Sequence, residues 1–189
     1  REPLQSAYNR FLKRTFDIFF SLVILLTIYP ILYIVVGIMI KLSSPGPILF
    51  KQKRTGLYGH DFECFKFRTM KVNAQADTLQ AVKDDPRKTQ FVNVLLGDMS
   101  VVGPRPHMLK HTEQYSALID KYMVRHLVKP GVTGWAQVTG YRGETKTLEQ
   151  MEGRVKRDVW YIENWTFFLD LKIIVVTVLN MFKGEKNAY

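Results

Sequence analysis

Arg105 is the residue whose neighbours in the sequence best suit it to bind a phosphate group. It lies between two prolines in the segment 97–106, which also contains Gly97 and Gly103. The prolines restrict the backbone on both sides, so little conformational entropy remains to be lost when the guanidinium binds. A guanidinium binds phosphate through two parallel hydrogen bonds. The alternative is a structural arginine that pairs with Asp98.

A second loop rich in glycine and proline, residues 129–138, suits a nucleotide. Gln137 is a candidate to hydrogen-bond a base, and Trp135 or Tyr141 is a candidate to stack on one. The simpler alternative is a tryptophan packed in the core beside glycine turns.

Several other catalytic patterns are absent from the sequence. His107 and His111 are four residues apart but lack the glutamate of a zinc protease, and there is no phosphate-binding P-loop or dinucleotide fingerprint. The single cysteine, Cys64, excludes an internal disulfide and a multi-cysteine zinc site. The pair Asp84 and Asp85 is a weak divalent-ion candidate, since an acidic pair before a proline usually forms a solvated turn. The residues alone therefore identify no metal ligands.

The charge of the chain points to a polyanionic partner. Its 27 Lys and Arg against 17 Asp and Glu give a net charge of +10, and 47% of the residues are hydrophobic. So much apolar surface predicts a folded chain. A nucleic acid, an anionic membrane and a phosphorylated substrate all fit the charge. No nucleic acid is expected, because the basic residues are interleaved with lipid-seeking ones and match no nucleic-acid motif.

Residues 16–40 are apolar enough to enter a membrane. A helix of that length extends about 37 Å, against about 30 Å for a hydrocarbon core. Pro30 in its middle predicts a kink. Positive residues, which mark the cytoplasmic side, flank the segment at both ends: Arg10, Lys13 and Arg14 before it, and Lys41, Lys51, Lys53 and Arg54 after it. We therefore expect a re-entrant helix, broken at Pro30, rather than a membrane-spanning helix or a buried core helix.

The remaining elements complete the predicted fold. Alternating residues predict a β-hairpin from 48–53 and 62–68, and apolar spacing predicts helices over 72–82, 107–126, 149–161 and 167–183. The last of these is expected at the membrane interface, with a packed core helix as the alternative. The predicted class is α/β, mostly α: a monotopic membrane protein with a re-entrant helix over about 14–42, a small hairpin and amphipathic interfacial helices. Residues 1–189 are predicted to form a single domain, with a cytoplasmic-face part over about 43–189.

Several motifs in this order resemble the bacterial sugar transferases, the monotopic phosphoglycosyl transferases, over nearly the whole chain. They are residues 13–17 (KRTFD), 44–47 (SPGP), 51–56 (KQKRTG), 65–70 (FKFRTM), 97–106, 129–138 and 158–164 (DVWYIEN).

The resemblance implies a reaction. A UDP-sugar gives its sugar 1-phosphate to undecaprenyl phosphate and UMP is released, as the first membrane step in the synthesis of exopolysaccharide, capsule or another glycoconjugate. In this family an Asp-Glu pair and Mg²⁺ carry the chemistry, and the aspartate forms a covalent phosphosugar intermediate. The implied location is the cytoplasmic face of the bacterial inner membrane, among its phospholipids. UDP-glucose or UDP-galactose is the favoured donor, and a homo-oligomer is possible.

The catalytic pair of the family is missing from this sequence. Family members have a Leu-Asp-Glu-Leu stretch just before the segment that ends in Gly97-Asp98-Met99-Ser100, so the pair is expected between Arg87 and Gln90, where the sequence continues without it. The nucleophile is not transferred to any other aspartate. Either the chain is an inactive variant, or the protein has further residues at this point. We favour the second interpretation because both flanks match closely.

Site residues carried over from the family are Arg105 as the main phosphate contact, supported by Lys66 and Arg68, and Gln137 in the nucleotide pocket. The catalytic residues and the metal ligands stay unassigned. The chain is expected to be the C-terminal part of a longer protein, since large family members carry extra helices before this domain. Two rivals remain open: a glycosyltransferase that releases UDP, and a non-catalytic protein that binds polyprenyl phosphate or acts as a scaffold.

Overall fold

The fold is mostly helical, with two small sheets. The computed structural model describes residues 2–43, 46–67, 87–143 and 147–183. The helices are α1 (Ala7–Ser43), α2 (Arg87–Leu96), α3 (Leu109–Ser116), α4 (Trp135–Val138), α5 (Leu148–Glu163) and α6 (Phe167–Lys183). The strands are β1 (Leu49–Thr55), β2 (Asp61–Phe67), β3 (Ser100–Val102) and β4 (Gly131–Thr133), and short 3₁₀ helices form at Pro3–Gln5, Leu57–Gly59 and Tyr122–Leu127. The α/β class, mostly α, is confirmed.

Helix α1 is long and apolar enough to cross a membrane. Its apolar window has a mean hydropathy of 2.6, and only 11% of that window is buried. Pro30 lies inside the helix, and the helical conformation continues through it. The predicted break of the helix at Pro30 is therefore wrong. Re-entry into the membrane stays a prediction.

A buried polar network fixes the first half of α1 to the C-terminal helices. Lys13 Nζ lies 2.6 Å from Asp170 Oδ2, and Asp170 also accepts hydrogen bonds from Tyr161 Oη at 2.7 Å and Trp165 Nε1 at 3.1 Å. One turn later, Asp17 accepts the backbone N–H of Val101 at 2.9 Å. The charged side chains in the first turns of this apolar helix are thus satisfied within the protein.

The second half of α1 contacts the hairpin. The rings of Tyr29 and Tyr33 lie 6.2 and 6.3 Å from the ring of Phe67, at the end of β2. In the first half, Phe20 lies 6.1 Å from Phe91 of α2. Since α2 also packs on β2, both halves of α1 contact the same body of protein.

The hairpin forms where the alternating pattern predicted it. Strands β1 and β2 pair antiparallel, from Leu49 opposite Phe67 to Thr55 opposite Asp61. Cys64, in β2, is fully buried, as is typical of a small packed hydrophobe. Burial raises the pKa of its thiol.

The two glycine-proline loops pack backbone against backbone. Strands β3 and β4 are parallel, and the N–H of Gly103 donates to the carbonyl oxygen of Thr133 at 2.8 Å. A Cβ on Gly131 would lie 2.1 Å from the nitrogen of Gly103, and a Cβ on Gly134 would lie 2.2 Å from its oxygen. Glycine is required here because the backbones approach too closely for any side chain.

One predicted helix is shorter than expected. The pattern over 107–126 forms α3, which ends at Ser116. A 3₁₀ helix follows at Tyr122–Leu127, and its N-cap residue Lys121 takes a left-handed conformation with φ of 59°. Asp120 Oδ1 accepts the backbone N–H of Lys121, a local bond that competes with the helix. The helices predicted over 149–161 and 167–183 are confirmed as α5 and α6. The helix predicted over 72–82 lies outside the described residues.

Candidate functional site: a cationic cluster around Arg105

Arg105 lies where two groups of cations meet. Its carbonyl oxygen accepts a hydrogen bond from Arg125 Nη2 at 2.9 Å, and its own Nη1 donates to the carbonyl oxygen of Arg142 at 3.2 Å. The residue is partly exposed. The loop between β3 and α3 is thus held at its backbone, and the guanidinium stands at the edge of the site.

The first group of cations comes from the hairpin. The amide oxygen of Gln52 accepts hydrogen bonds from Arg54 Nη2 at 2.6 Å and from Lys66 Nζ at 3.1 Å. Burial, together with the charges of Arg54 and Arg105, lowers the pKa of Lys66 to about 7. One neutral oxygen therefore holds two cations that repel each other, an arrangement that favours binding of an anion.

The second group comes from the helical side of the site. Arg125 Nη2 lies 2.7 Å from Asp158 Oδ2, and both side chains are buried. Arg154, one turn before Asp158 on α5, is 3% exposed and donates from Nη2 to the carbonyl oxygen of Gly143. Burial, then Arg105, then Arg125 lower the pKa of Arg154 to about 9.

His107 joins these arginines as a neutral ring. Arg125 Nη1 lies 3.0 Å and Arg154 Nη1 lies 3.5 Å from its Nε2, and Tyr122 Oη lies 2.8 Å from its Nδ1. Burial and the neighbouring arginines lower the pKa of His107 well below its usual range. A neutral imidazole accepts a hydrogen bond from a guanidinium, whereas an imidazolium would repel it.

The first turn of α2 lies against the hairpin beside Lys66. Thr89 Oγ1 donates to the carbonyl oxygen of Phe65 at 2.7 Å, and Gln90 Nε2 lies 3.5 Å from the sulfur of Cys64. The family resemblance predicts the acidic pair between Arg87 and Gln90, within this turn. The turn itself adjoins the strand that carries Lys66.

The predicted site residues are placed as follows. Lys66 and Arg105 lie close enough for the charge of one to lower the pKa of the other, whereas Arg68 lies outside the described residues. Gln137 is buried in α4, and within the described residues no hydrogen bond joins its side chain to the cluster. Its neighbour Trp135 stacks on Trp160 at 5.1 Å, as the core interpretation predicts. The proposed roles of these residues stay predictions.

No group of three or more His, Cys, Asp and Glu side chains that suits a metal ion occurs among the described residues. Asp158 lies in an ion pair with Arg125. Asp84 and Asp85 lie outside the described residues. The described side chains therefore assign no ligand to Mg²⁺, which stays a prediction.

Sequence reasoning missed Gln52, Arg54, Arg125, Arg154 and Asp158. A signal was available for the last two, because Arg154 and Asp158 occupy positions on the apolar face of α5. That face also carries the buried residues Met151, Val155, Val159 and Ile162. Two charges four residues apart on a core-facing stripe indicate a buried polar cluster.

Comparison with known proteins gives a consistent result. A family model described as bacterial sugar transferase matches residues 8–184. The UDP-glucose:undecaprenyl-phosphate glucose-1-phosphate transferases of Escherichia coli K12 and Xanthomonas campestris pv. campestris are 48% and 43% identical, over 97% and 92% of the chain. A UDP-N-acetylgalactosamine-undecaprenyl-phosphate N-acetylgalactosaminephosphotransferase of Aeromonas hydrophila is 36% identical over 96% of it.

These relatives are longer than the chain, both overall and within the match. The chain spans 43%, 39% and 46% of their lengths. The alignment with the Escherichia coli protein extends over 202 positions and that with the Aeromonas protein over 197, against 189 residues here. Both relatives therefore contain internal residues without a counterpart in this chain.

Proposed function

The chain belongs to the bacterial sugar transferase family, and we propose that it transfers a sugar 1-phosphate from a UDP-sugar to undecaprenyl phosphate and releases UMP. The observation that carries the proposal is the cationic cluster around Arg105, beside the first turn of α2. The relatives named above act, by their names, on UDP-sugars and undecaprenyl phosphate. Both substrates carry phosphate.

The cluster supports this reaction on electrostatic grounds. The bond that breaks joins the two phosphorus atoms of the UDP-sugar through oxygen, and UMP leaves with the bridging oxygen. An anionic lipid must approach an anionic diphosphate, so their repulsion has to be screened. Arg54, Lys66 and Arg105 supply fixed positive charge at one place, which favours a transition state with charge spread over phosphoryl oxygens.

The nucleophile and the metal are further proposals. We infer from the family resemblance that an aspartate of the missing pair attacks the β-phosphorus to give the phosphosugar intermediate, and that Mg²⁺ would neutralise charge on the phosphates. The residues described here supply the cationic side of the site. The contacts of Thr89 and Gln90 with Phe65 and Cys64 support this proposal, since they hold the first turn of α2 against the strand that carries Lys66.

The membrane arrangement is also a proposal. We place α1 in the inner membrane from its cytoplasmic face as a re-entrant helix, with α6 at the interface. Support comes from the contacts of both halves of α1 with the same protein body, and from exposed apolar side chains on α6. These are Phe168, Val175, Val178, Leu179, Met181 and Phe182. A site at this boundary would meet the phosphate of a lipid whose chain stays in the bilayer.

Product analysis tests the proposed function. The protein is placed in nanodiscs with undecaprenyl phosphate and Mg²⁺ and is given UDP-glucose, UDP-galactose and UDP-N-acetylgalactosamine in turn. UDP-glucose is expected to react fastest. UMP release is the expected result. Release of UDP would instead identify a glycosyltransferase that moves the sugar alone. Arg105→Ala should lower the rate by about 10²- to 10³-fold, because one oriented cation is lost from the transition state. The exposed Lys156→Gln is the control, and a normal rate in Arg105→Ala would remove Arg105 from the site.

A second candidate function is non-catalytic binding of polyprenyl phosphate. It is favoured by the residues that relatives have and this chain lacks, together with the missing acidic pair. Intact mass of the expressed protein distinguishes the two: a mass of 22.0 kDa with no UMP release identifies the binding protein. A larger mass with UMP release identifies the enzyme.

A further inference from the structure

Arg154 is a buried cation with incomplete hydrogen bonding. The residue is 3% exposed, and its guanidinium contacts the carbonyl oxygen of Gly143 and the ring of His107. Its Nε–H is buried and has no partner among the described residues. A buried donor without an acceptor is costly in free energy, so native proteins seldom leave one unless a ligand or water completes it.

The guanidinium groups of Arg154 and Arg105 converge on one short segment. Arg154 donates to the carbonyl oxygen of Gly143, and Arg105 donates to the carbonyl oxygen of the preceding residue, Arg142. The two cations come from different elements, α5 and the loop after β3. Adjacent carbonyl groups thus hold two guanidiniums side by side, although like charges repel.

Two arginines and one carboxylate act most strongly on the charge of Arg154. Arg105 and Arg125 are the cations that act on it most strongly, and Asp158 is the carboxylate that opposes them. Asp158 lies 2.7 Å from Arg125. An additional anion beside Arg154 would relieve the repulsion and supply an acceptor for Nε–H.

We propose that Arg154 and Arg105 together bind one phosphate group, with Arg154 as a phosphate ligand rather than a structural core residue. The inference rests on the proposed function, which supplies a phosphate from either the nucleotide or the lipid. The Nε–H and a neighbouring Nη–H form an edge that matches two phosphate oxygens. Partly exposed Arg105 offers the anion an approach from solvent.

The test compares phosphate binding in Arg154→Met and Lys156→Gln. Both variants remove one positive charge from α5, but Lys156 is exposed and pairs with Glu152. UMP is titrated into the protein in nanodiscs by calorimetry, and undecaprenyl phosphate is titrated separately by tryptophan fluorescence. For Arg154→Met the Kd of one ligand should rise about ten- to hundredfold, the range expected for a lost charge-assisted hydrogen bond. The ligand affected identifies the source of the phosphate.

Melting temperature separates a binding role from a structural one. Without ligand, Arg154→Met should melt no lower than the unmodified protein, because it removes a buried charge and an unsatisfied donor. If Arg154→Met does not fold, Arg154→Lys is measured in its place. Lysine keeps the positive charge but lacks the paired Nε–H and Nη–H donors, so the Kd of this variant for phosphate should rise several-fold. Affinities equal to those of Lys156→Gln for both ligands would overturn the inference.

Failure of the proposed function gives a different result. A protein that binds UMP through Arg154 but releases none from a UDP-sugar would contradict the enzyme and support the phosphate site. Conversely, if Arg154→Met released UMP from a UDP-sugar and bound both ligands with unchanged affinity, the phosphate site would be contradicted while the proposed function would stand.

Discussion

The protonation of Lys66 should make phosphate binding depend on pH just above neutrality. Burial and two neighbouring arginines lower its pKa to about 7, so at pH 8 only about one-tenth of free molecules carry the ammonium. If phosphate binding needs this charge, the lysine must take up a proton when the phosphate binds. Each pH unit above the pKa then reduces the binding free energy by about 1.4 kcal/mol. The Kd for UMP should therefore rise as the pH rises.

The expected size of the effect follows from the same pKa. Between about pH 7 and pH 8.5 the protonated fraction falls from one-half to about one-thirtieth, so the Kd should rise by about fifteenfold. The phosphate itself does not obscure the trend, because its second pKa is about 6 and it is already a dianion in this range. The loss has a limit, since a charged hydrogen bond contributes about 1.5–3 kcal/mol.

Calorimetric titration of UMP at several pH values measures the effect, with Lys66→Arg and Lys66→Met as matched variants. Lys66→Arg keeps its charge at every pH used, so its Kd should not change over this interval. Lys66→Met should bind weakly at every pH. The assignment to Lys66 would be refuted if the Kd of the unmodified protein did not change with pH. It would also be refuted if the Kd of Lys66→Arg rose with pH as steeply as that of the unmodified protein.

Two further predictions concern α1. Lys13→Met and Asp170→Leu should each destabilise the protein by about 3–5 kcal/mol, because each leaves a buried charge without its partner. The double variant should lose much less stability than the sum of the two single losses. Thermal unfolding of all three variants in detergent measures these losses, and additive losses would contradict a coupled pair. Single cysteines at exposed Phe11 and Leu42, in a Cys64→Ala background, should react with an impermeant maleimide from the same side of sealed vesicles; labelling from opposite sides would exclude re-entry.

The hairpin and the terminal helices were predictable because local pattern decides them. Alternation of apolar and polar residues specifies β1 and β2, and apolar spacing specifies α5 and α6, without reference to distant parts of the chain. The helix predicted over 107–126 was wrong in extent, since α3 ends at Ser116 and the left-handed Lys121 precedes a separate 3₁₀ helix, although the apolar spacing continues through both. Residue type also failed to predict that α1 continues through Pro30, because a proline weakens a long helix without having to end it.

Part of the candidate site was also readable from the sequence. Two prolines around Arg105 indicate phosphate binding by residue type and spacing, whereas the supporting role of Lys66 was implied by the family resemblance. The close approach of the two loops at Gly103 and Gly131 was partly foreseeable, because glycine permits such contact, but which backbones meet depends on the parallel pairing of β3 with β4.

The sequence by itself determined the chemical character of this protein: an apolar membrane segment, a cationic surplus and family motifs, all of which are properties of residue type and order. Tertiary structure alone decided which cations act together. Arg54, Lys66, Arg105 and Arg154 come from separate elements, and the pKa values of Lys66 and Arg154 depend on burial and on charges distant in the chain. Electrostatic coupling acts through space, so a one-dimensional pattern contains the charges but not the distances between them.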